Sequence, residues 1–202
     1  MKRCPRTSSN SLDISVTVAS RSWIRKQRTV VACAKRAAGA AAQNARDNGS
    51  PFSGHHNAME ISILLTTDHA LRRLNHDYRG IDKPTNVLSF PTLSYRDAQA
   101  TDAPVLLGDV AVAFGVSDKE ARTAGKSLPA HLSHLVVHGV LHLLGYDHQS
   151  DHGAKKMEEL EIEILADLGI ANPYIEAPNK IALTQRGRGT PRKNTTQTRA
   201  KK

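Results

Sequence analysis

Three histidines in HGVLHLLGYDH, residues 138–148, stand four and six positions apart. Neutral imidazole is the commonest metal-binding side chain of proteins. On an α-helix, residues i and i+4 lie one above the other on one face, so His138 and His142 can aim at a single ion. Gly145 suits the left-handed turn that ends a helix, and a chain turning there brings His148 back toward the same point. Three imidazoles leave a tetrahedral ion one open position, which is the arrangement of a catalytic zinc rather than a closed structural one. Zinc suits this set best, although nickel, copper and iron also accept such ligands.

The spacing H-x-x-x-H-x-x-G-x-x-H is similar to the metzincin protease motif. Where that motif carries its glutamate base, this chain has Gly139. Glycine cannot take a proton, so the metal site matches and the peptide-hydrolysing base is missing.

LRRLNHDYRGIDKPTNVLSFP, residues 71–91, is the second concentration of chemistry. Arginine stays charged and grips phosphate with a two-pronged fork. Arg79 stands at a helix end before a glycine turn and is the candidate phosphate clamp. Arg72 and Arg73 lie further back on the same helix and are candidate contacts to a phosphate-bearing polyanion. Asn75, Asp82 and Thr85 are capping or turn residues as readily as functional ones. Near the histidines, Asp147 could orient a ligand imidazole, and His134, one helical turn before His138, could contact the site.

These residues need elements to hold them. Alternation and β-branched content predict strands over 12–20, 59–67, 86–91 and 105–114. Helices are expected over 23–46, over 69–78 with Asp68 as N-cap, and over 117–125 with Ser117 as cap. Two more are expected over 129–145, begun by Pro129, and 150–169. Residues 48–57 and 93–104 read as loops. Strands interleaved with helices give an α/β (α+β) single domain over 12–176. Residues 1–11 and the basic tail 177–202 are expected to be disordered.

The 202 residues carry a formal charge of +9. The ends hold the basicity: residues 1–50 and 180–202 are each +8, and the segment between them is −7. Polyanion binding must therefore come from a local cluster or from the ends, not from the overall balance. No run approaches the length of a membrane span, no signal peptide is evident, and two cysteines are too few for a disulfide framework. A cytoplasmic protein is expected, with no membrane partner.

HGVLHLLGYDH, YRGIDKPTNVLSFP and LLGDVAVA together resemble the bacterial YbeY family of metal-dependent endoribonucleases. The resemblance covers about residues 12–174. It implies a small mixed sheet of about four strands surrounded by helices, with the three-histidine metal site at a cleft. It implies one Zn²⁺ per chain on His138, His142 and His148, and Arg79 as the residue needed for RNA cleavage. The implied substrate is single-stranded RNA, notably the 3′ end of 16S rRNA. Ribosome quality control and contact with the small subunit and its proteins follow from the same resemblance, and no DNA substrate is expected. The nucleophile stays open between a metal-activated water and the RNA 2′-OH. Two other functions fit the histidines: a metzincin-like metalloprotease, and a non-catalytic ribosome assembly factor with a structural zinc.

Overall fold

The structure is a computed structural model that describes residues 11–48, 50, 58–92 and 104–175. Four strands form one sheet: β1 (Leu12–Val18), β2 (Met59–Thr66), β3 (Val87–Pro91) and β4 (Val105–Ala113). Their order is β1-β2-β4-β3. β1, β2 and β4 run parallel, and β3 lies antiparallel on the edge beside β4. β4 is apolar almost throughout, as expected of a strand covered on both faces.

Six helices are described: α1 (Arg21–Lys26), α2 (Val30–Asp47), α3 (Asp68–Arg79), α4 (Phe114–Thr123), α5 (Leu128–Leu143) and α6 (Asp151–Asp167). The main core joins the faces of α2, α5 and α6 to Ile61, Ile63, Leu65, Val110 and Val112 of the sheet. A smaller cluster on the other side joins Leu71 and Leu74 of α3 to Leu64, Leu88, Phe90 and Ala111. The domain is thus helix, sheet, helix, and it is the mixed α/β architecture expected.

Three local expectations need correction. The helix expected over 23–46 is two helices, broken at Gln27, whose backbone is extended (φ −144°, ψ 102°). Trp23 is fully buried, donates its indole N–H to the Thr66 carbonyl at 3.2 Å and packs edge-on against Phe114 at 5.2 Å. α2 buries a different face, made of Ala34, Ala37, Ala38, Ala41, Ala42 and Ala45. One straight helix cannot seat both.

The N-cap of α3 is Thr67, whose hydroxyl accepts from the Ala70 N–H at 3.2 Å. Asp68 instead reaches across to α4, where it accepts the N–H groups of Gly115 and Val116 at 2.7 and 3.1 Å. α4 consequently starts at Phe114, and Ser117, expected to cap it, is buried inside the helix. The carboxylate satisfies donors that a helix N-terminus leaves unpaired.

The segments 1–10 and 177–202, expected to be disordered, and most of the two long loops lie outside the described residues. Among the described residues, no helix is long and apolar enough to cross a membrane.

Candidate metal centre

α5 begins at Ser127, whose hydroxyl accepts from the Ala130 N–H, with Pro129 in the first turn. It ends at Gly145, in the left-handed region at φ 86°. There the Gly145 N–H donates to the His142 carbonyl at 3.1 Å and the Tyr146 N–H to the Leu141 carbonyl at 3.0 Å. This pair of bonds is the Schellman closure of a helix, and it turns the chain so that His148 returns beside the helical pair. One ring nitrogen from each of His138, His142 and His148 lies within 4.8 Å of the others. The three expected residues are brought together.

Hydrogen bonds fix which nitrogen each helical ring offers. Nδ1 of His142 lies 3.0 Å from the Tyr146 carbonyl, which only accepts, so that nitrogen carries the proton. Nδ1 of His138 lies 2.8 Å from Oε1 of Glu161, and donates likewise. With both rings in the neutral form a metal ligand needs, each Nε2 presents a lone pair, and the two face each other at 3.1 Å. Two acceptors hold that distance comfortably only with a cation between them. The donor set therefore fits a metal ion. Burial, and then the neighbouring His138, bring the His142 imidazole down to about 4, so it stands in the neutral form a ligand needs.

Glu161 is the residue that the sequence did not disclose. It is 1% exposed and takes three donors: Nδ1 of His138, Nε2 of His134 at 2.7 Å and the Tyr174 hydroxyl at 2.6 Å. Burial alone would raise its carboxyl, but these hydrogen bonds outweigh it and bring the group to about 2. The same contact, after burial, pushes the Tyr174 phenol up. A signal was available. Met157, Leu160, Ile164 and Leu165 form the buried stripe of α6, and Glu161 sits on that stripe where an apolar residue belongs.

The cleft beside the histidines has a volume of about 600 Å³. One wall is α5 and its turn, through His138, His142 and Tyr146 to Gln149. The other is Arg79, Thr85, Asn86 and the edge strand residues Val87, Ser89 and Pro91. Arg79 enters from the end of α3. The 80–85 turn that follows it is pinned by buried Asn75, which donates to the Lys83 carbonyl at 2.8 Å. Asn86 donates to Glu120 at 3.0 Å, and Glu120 also meets buried His131 at 2.9 Å.

The remaining candidates are placed as follows. His134 does not reach the three-histidine group but shares Glu161 with His138. Asp147 is exposed in the cleft wall and accepts from the Gln149 N–H at 3.1 Å, a bond within its own turn. Arg72 is exposed and forked onto Asp82 at 2.6 Å through both of its contacts, which holds the Asp82 carboxyl below its usual range. Arg73 is exposed on α3.

Position 139 faces the sheet. A Cβ there would stand 2.7 Å from Val110 Cγ1 and 3.0 Å from Ser89 Oγ. The place where a metzincin carries its base has no room for a side chain.

Residues 23–169 match the sequence profile of a known family, Endoribonuclease YbeY. The chain belongs to the YbeY family. An Endoribonuclease YbeY of Rhodopseudomonas palustris is 52% identical over 117 residues, covering 58% of this chain and 70% of that protein. One from Paramagnetospirillum magneticum is 56% identical over 119 residues, covering 58% and 73%. One from Bradyrhizobium is 53% identical over 118 residues, covering 58% and 70%. This YbeY-family chain is accordingly an endoribonuclease, and RNA is its substrate. The protease alternative loses its standing on both grounds, the family match and the closed space at Gly139.

Proposed function

We propose that the chain is a zinc-dependent endoribonuclease that cuts single-stranded RNA, with His138, His142 and His148 as ligands and Arg79 as the phosphate clamp. The observation that carries this reading is the pair of facing Nε2 lone pairs at 3.1 Å, in a cleft whose opposite wall holds an arginine. When bound, a divalent ion there supplies Lewis acidity to a phosphate oxygen and lowers the pKa of a nearby water. The rest falls to the protein. Glu161 and the Tyr146 carbonyl keep the two helical imidazoles in the right tautomer and orientation. Arg79 holds the scissile phosphate and neutralises the charge that grows on its oxygens as the bond breaks. Position 139 offers no carboxylate base, and two oxygens remain as the nucleophile, that of a water or that of the RNA 2′-OH. End-group analysis separates these, since the second leaves a 2′,3′-cyclic phosphate.

The biological substrate we infer is ribosomal RNA at the 3′ end of 16S, in maturation and ribosome quality control, in the cytoplasm. The motif resemblance supports that assignment. The segment 51–179, which holds the cleft, is −7 overall, so phosphate contact there rests on a local cation, Arg79, rather than on the net charge.

The test is one assay on wild type, Arg79→Glu and His138→Ala, with metal content measured on the same samples. Wild type is expected to carry about one zinc per chain and cut a single-stranded oligonucleotide. Arg79→Glu should keep the metal and not cut, and His138→Ala should lose both. Equal residual cleavage by all three would mean a contaminant, and a non-catalytic assembly role would replace this reading.

A further inference from the structure

Among the described residues Tyr78 is the most exposed of the large apolar side chains, at 70%, in a chain with few aromatics, and Ile81 in the turn that follows is 51% exposed. The ring is nonetheless held. It packs edge-on against Phe90, with centroids 5.0 Å apart and planes at 64°. Phe90 is in turn half-buried against the small core cluster under α3. An edge contact of this kind fixes a ring and leaves most of its surface free. A fixed aromatic loses little entropy when something stacks on it.

Its place in the fold says what that could be. Tyr78 is followed directly by Arg79, which lines the cleft. Phe90 lies between Ser89 and Pro91, which also line it. Successive strand residues point to opposite faces, so the cleft and the Tyr78–Phe90 pair sit on the two sides of one strand, β3. Among the described residues β3 pairs only with β4, which makes it the sheet edge. A strand of RNA crossing that edge with a phosphate at Arg79 presents a neighbouring base to Tyr78.

We propose that Tyr78 is a stacking platform for one unpaired nucleobase next to the phosphate held by Arg79. The inference rests on the endoribonuclease reading and deepens it. It supplies a physical basis for preferring single strands, because a paired base has no free face to offer. Recognition is of the flat π-face, so it discriminates strandedness far more than base identity.

The test uses the full chain with its metal and a short single-stranded RNA cut at one mapped bond. A series of oligonucleotides carries one abasic nucleotide at each position flanking that bond. KM, kcat, the anisotropy Kd and the melting temperature are measured for wild type, Tyr78→Ala, Tyr78→Phe and Tyr78→Trp. Tyr78→Ala is expected to raise KM and Kd roughly tenfold, the size typical of one lost stack, with kcat and melting temperature nearly unchanged. Phe and Trp should restore both constants. One abasic position should weaken wild type by the same factor and have no further effect in Tyr78→Ala. If Tyr78→Ala leaves KM and Kd unchanged, or if its effect simply adds to that of every abasic position, the platform is refuted and the patch serves a protein partner or none. If wild type neither binds nor cuts the RNA, the endoribonuclease reading fails first and takes this inference with it.

Discussion

His134 and His138, one helical turn apart, are tied to the two oxygens of a single carboxylate. Nε2 of His134 meets Oε2 of Glu161 at 2.7 Å, and Nδ1 of His138 meets Oε1 at 2.8 Å. Only an ionised carboxylate can accept on both sides at once. Glu161→Gln would offer one acceptor and turn an N–H₂ toward a ring N–H. The variant is expected to bind zinc about 10–100-fold more weakly, read by competition against a chromophoric chelator. An unchanged affinity would show that Glu161 does not orient the ligand.

Acid should unfold the metal-free chain in two stages. His142 titrates near 6.5 when unfolded and near 4 when folded. The unfolded state therefore binds more protons in between, and stability drops as pH falls from 6.5 to 4. Glu161 ordinarily titrates near 4.5 and is folded at about 2, so its contribution goes between those values. Both slopes have the same sign. Urea midpoints of chelator-treated protein should fall steadily from pH 7 to pH 3, and Glu161→Gln should flatten the lower part. A flat midpoint between pH 6.5 and 4.5 would contradict a half-buried, neutral His142.

Arginine at position 79 should not be replaceable by lysine. An ammonium keeps the charge but loses the fork that matches two phosphate oxygens. Arg79→Ala is expected to lower kcat/KM by about 10²–10³, and Arg79→Lys should recover only part of it. Zinc content and melting temperature should be unaffected in both. Full recovery by lysine would mean that Arg79 acts as a distant charge.

Gly139→Ala should be destabilising although alanine is the better helix former. The added methyl would meet the branched Val110 side chain at 2.7 Å, where little can yield. Overpacking of this kind costs about 1–3 kcal/mol, which is several degrees in melting temperature for a domain of this size. A neutral or stabilising result would show that α5 can lift off β4.

The sequence disclosed what is local. His138 and His142 share a helix face by spacing alone, and Gly145 announced the turn that returns His148. The four strands were legible from alternation, and Ser150 caps α6 just where the last helix was expected to start. What it hid are partnerships between distant residues. Glu161 lies 23 positions from His138 and 34 separate Asn86 from Glu120, and no periodicity links such pairs. The break at Gln27 is set by where Trp23 finds Thr66 and Phe114, not by any residue in the break. Asp68 looked like a cap and is one, but for the helix that starts 46 positions further on.

α2 presents the sheet and α5 with a row of alanines, from Ala34 to Ala45, all fully buried. No atom in that row is reactive, and none lines the cleft. Yet the row sets how near α2 lies to the helix that carries two of the three histidines. A leucine anywhere along it would need space that only a shift of α5 or of the sheet could provide. The distance from the histidines on α5 to the Arg79 and β3 wall of the cleft is thus set, at the scale of a methyl group, from a helix that lines no part of it. Mutational tolerance in this domain should be least in its plainest stretch of sequence.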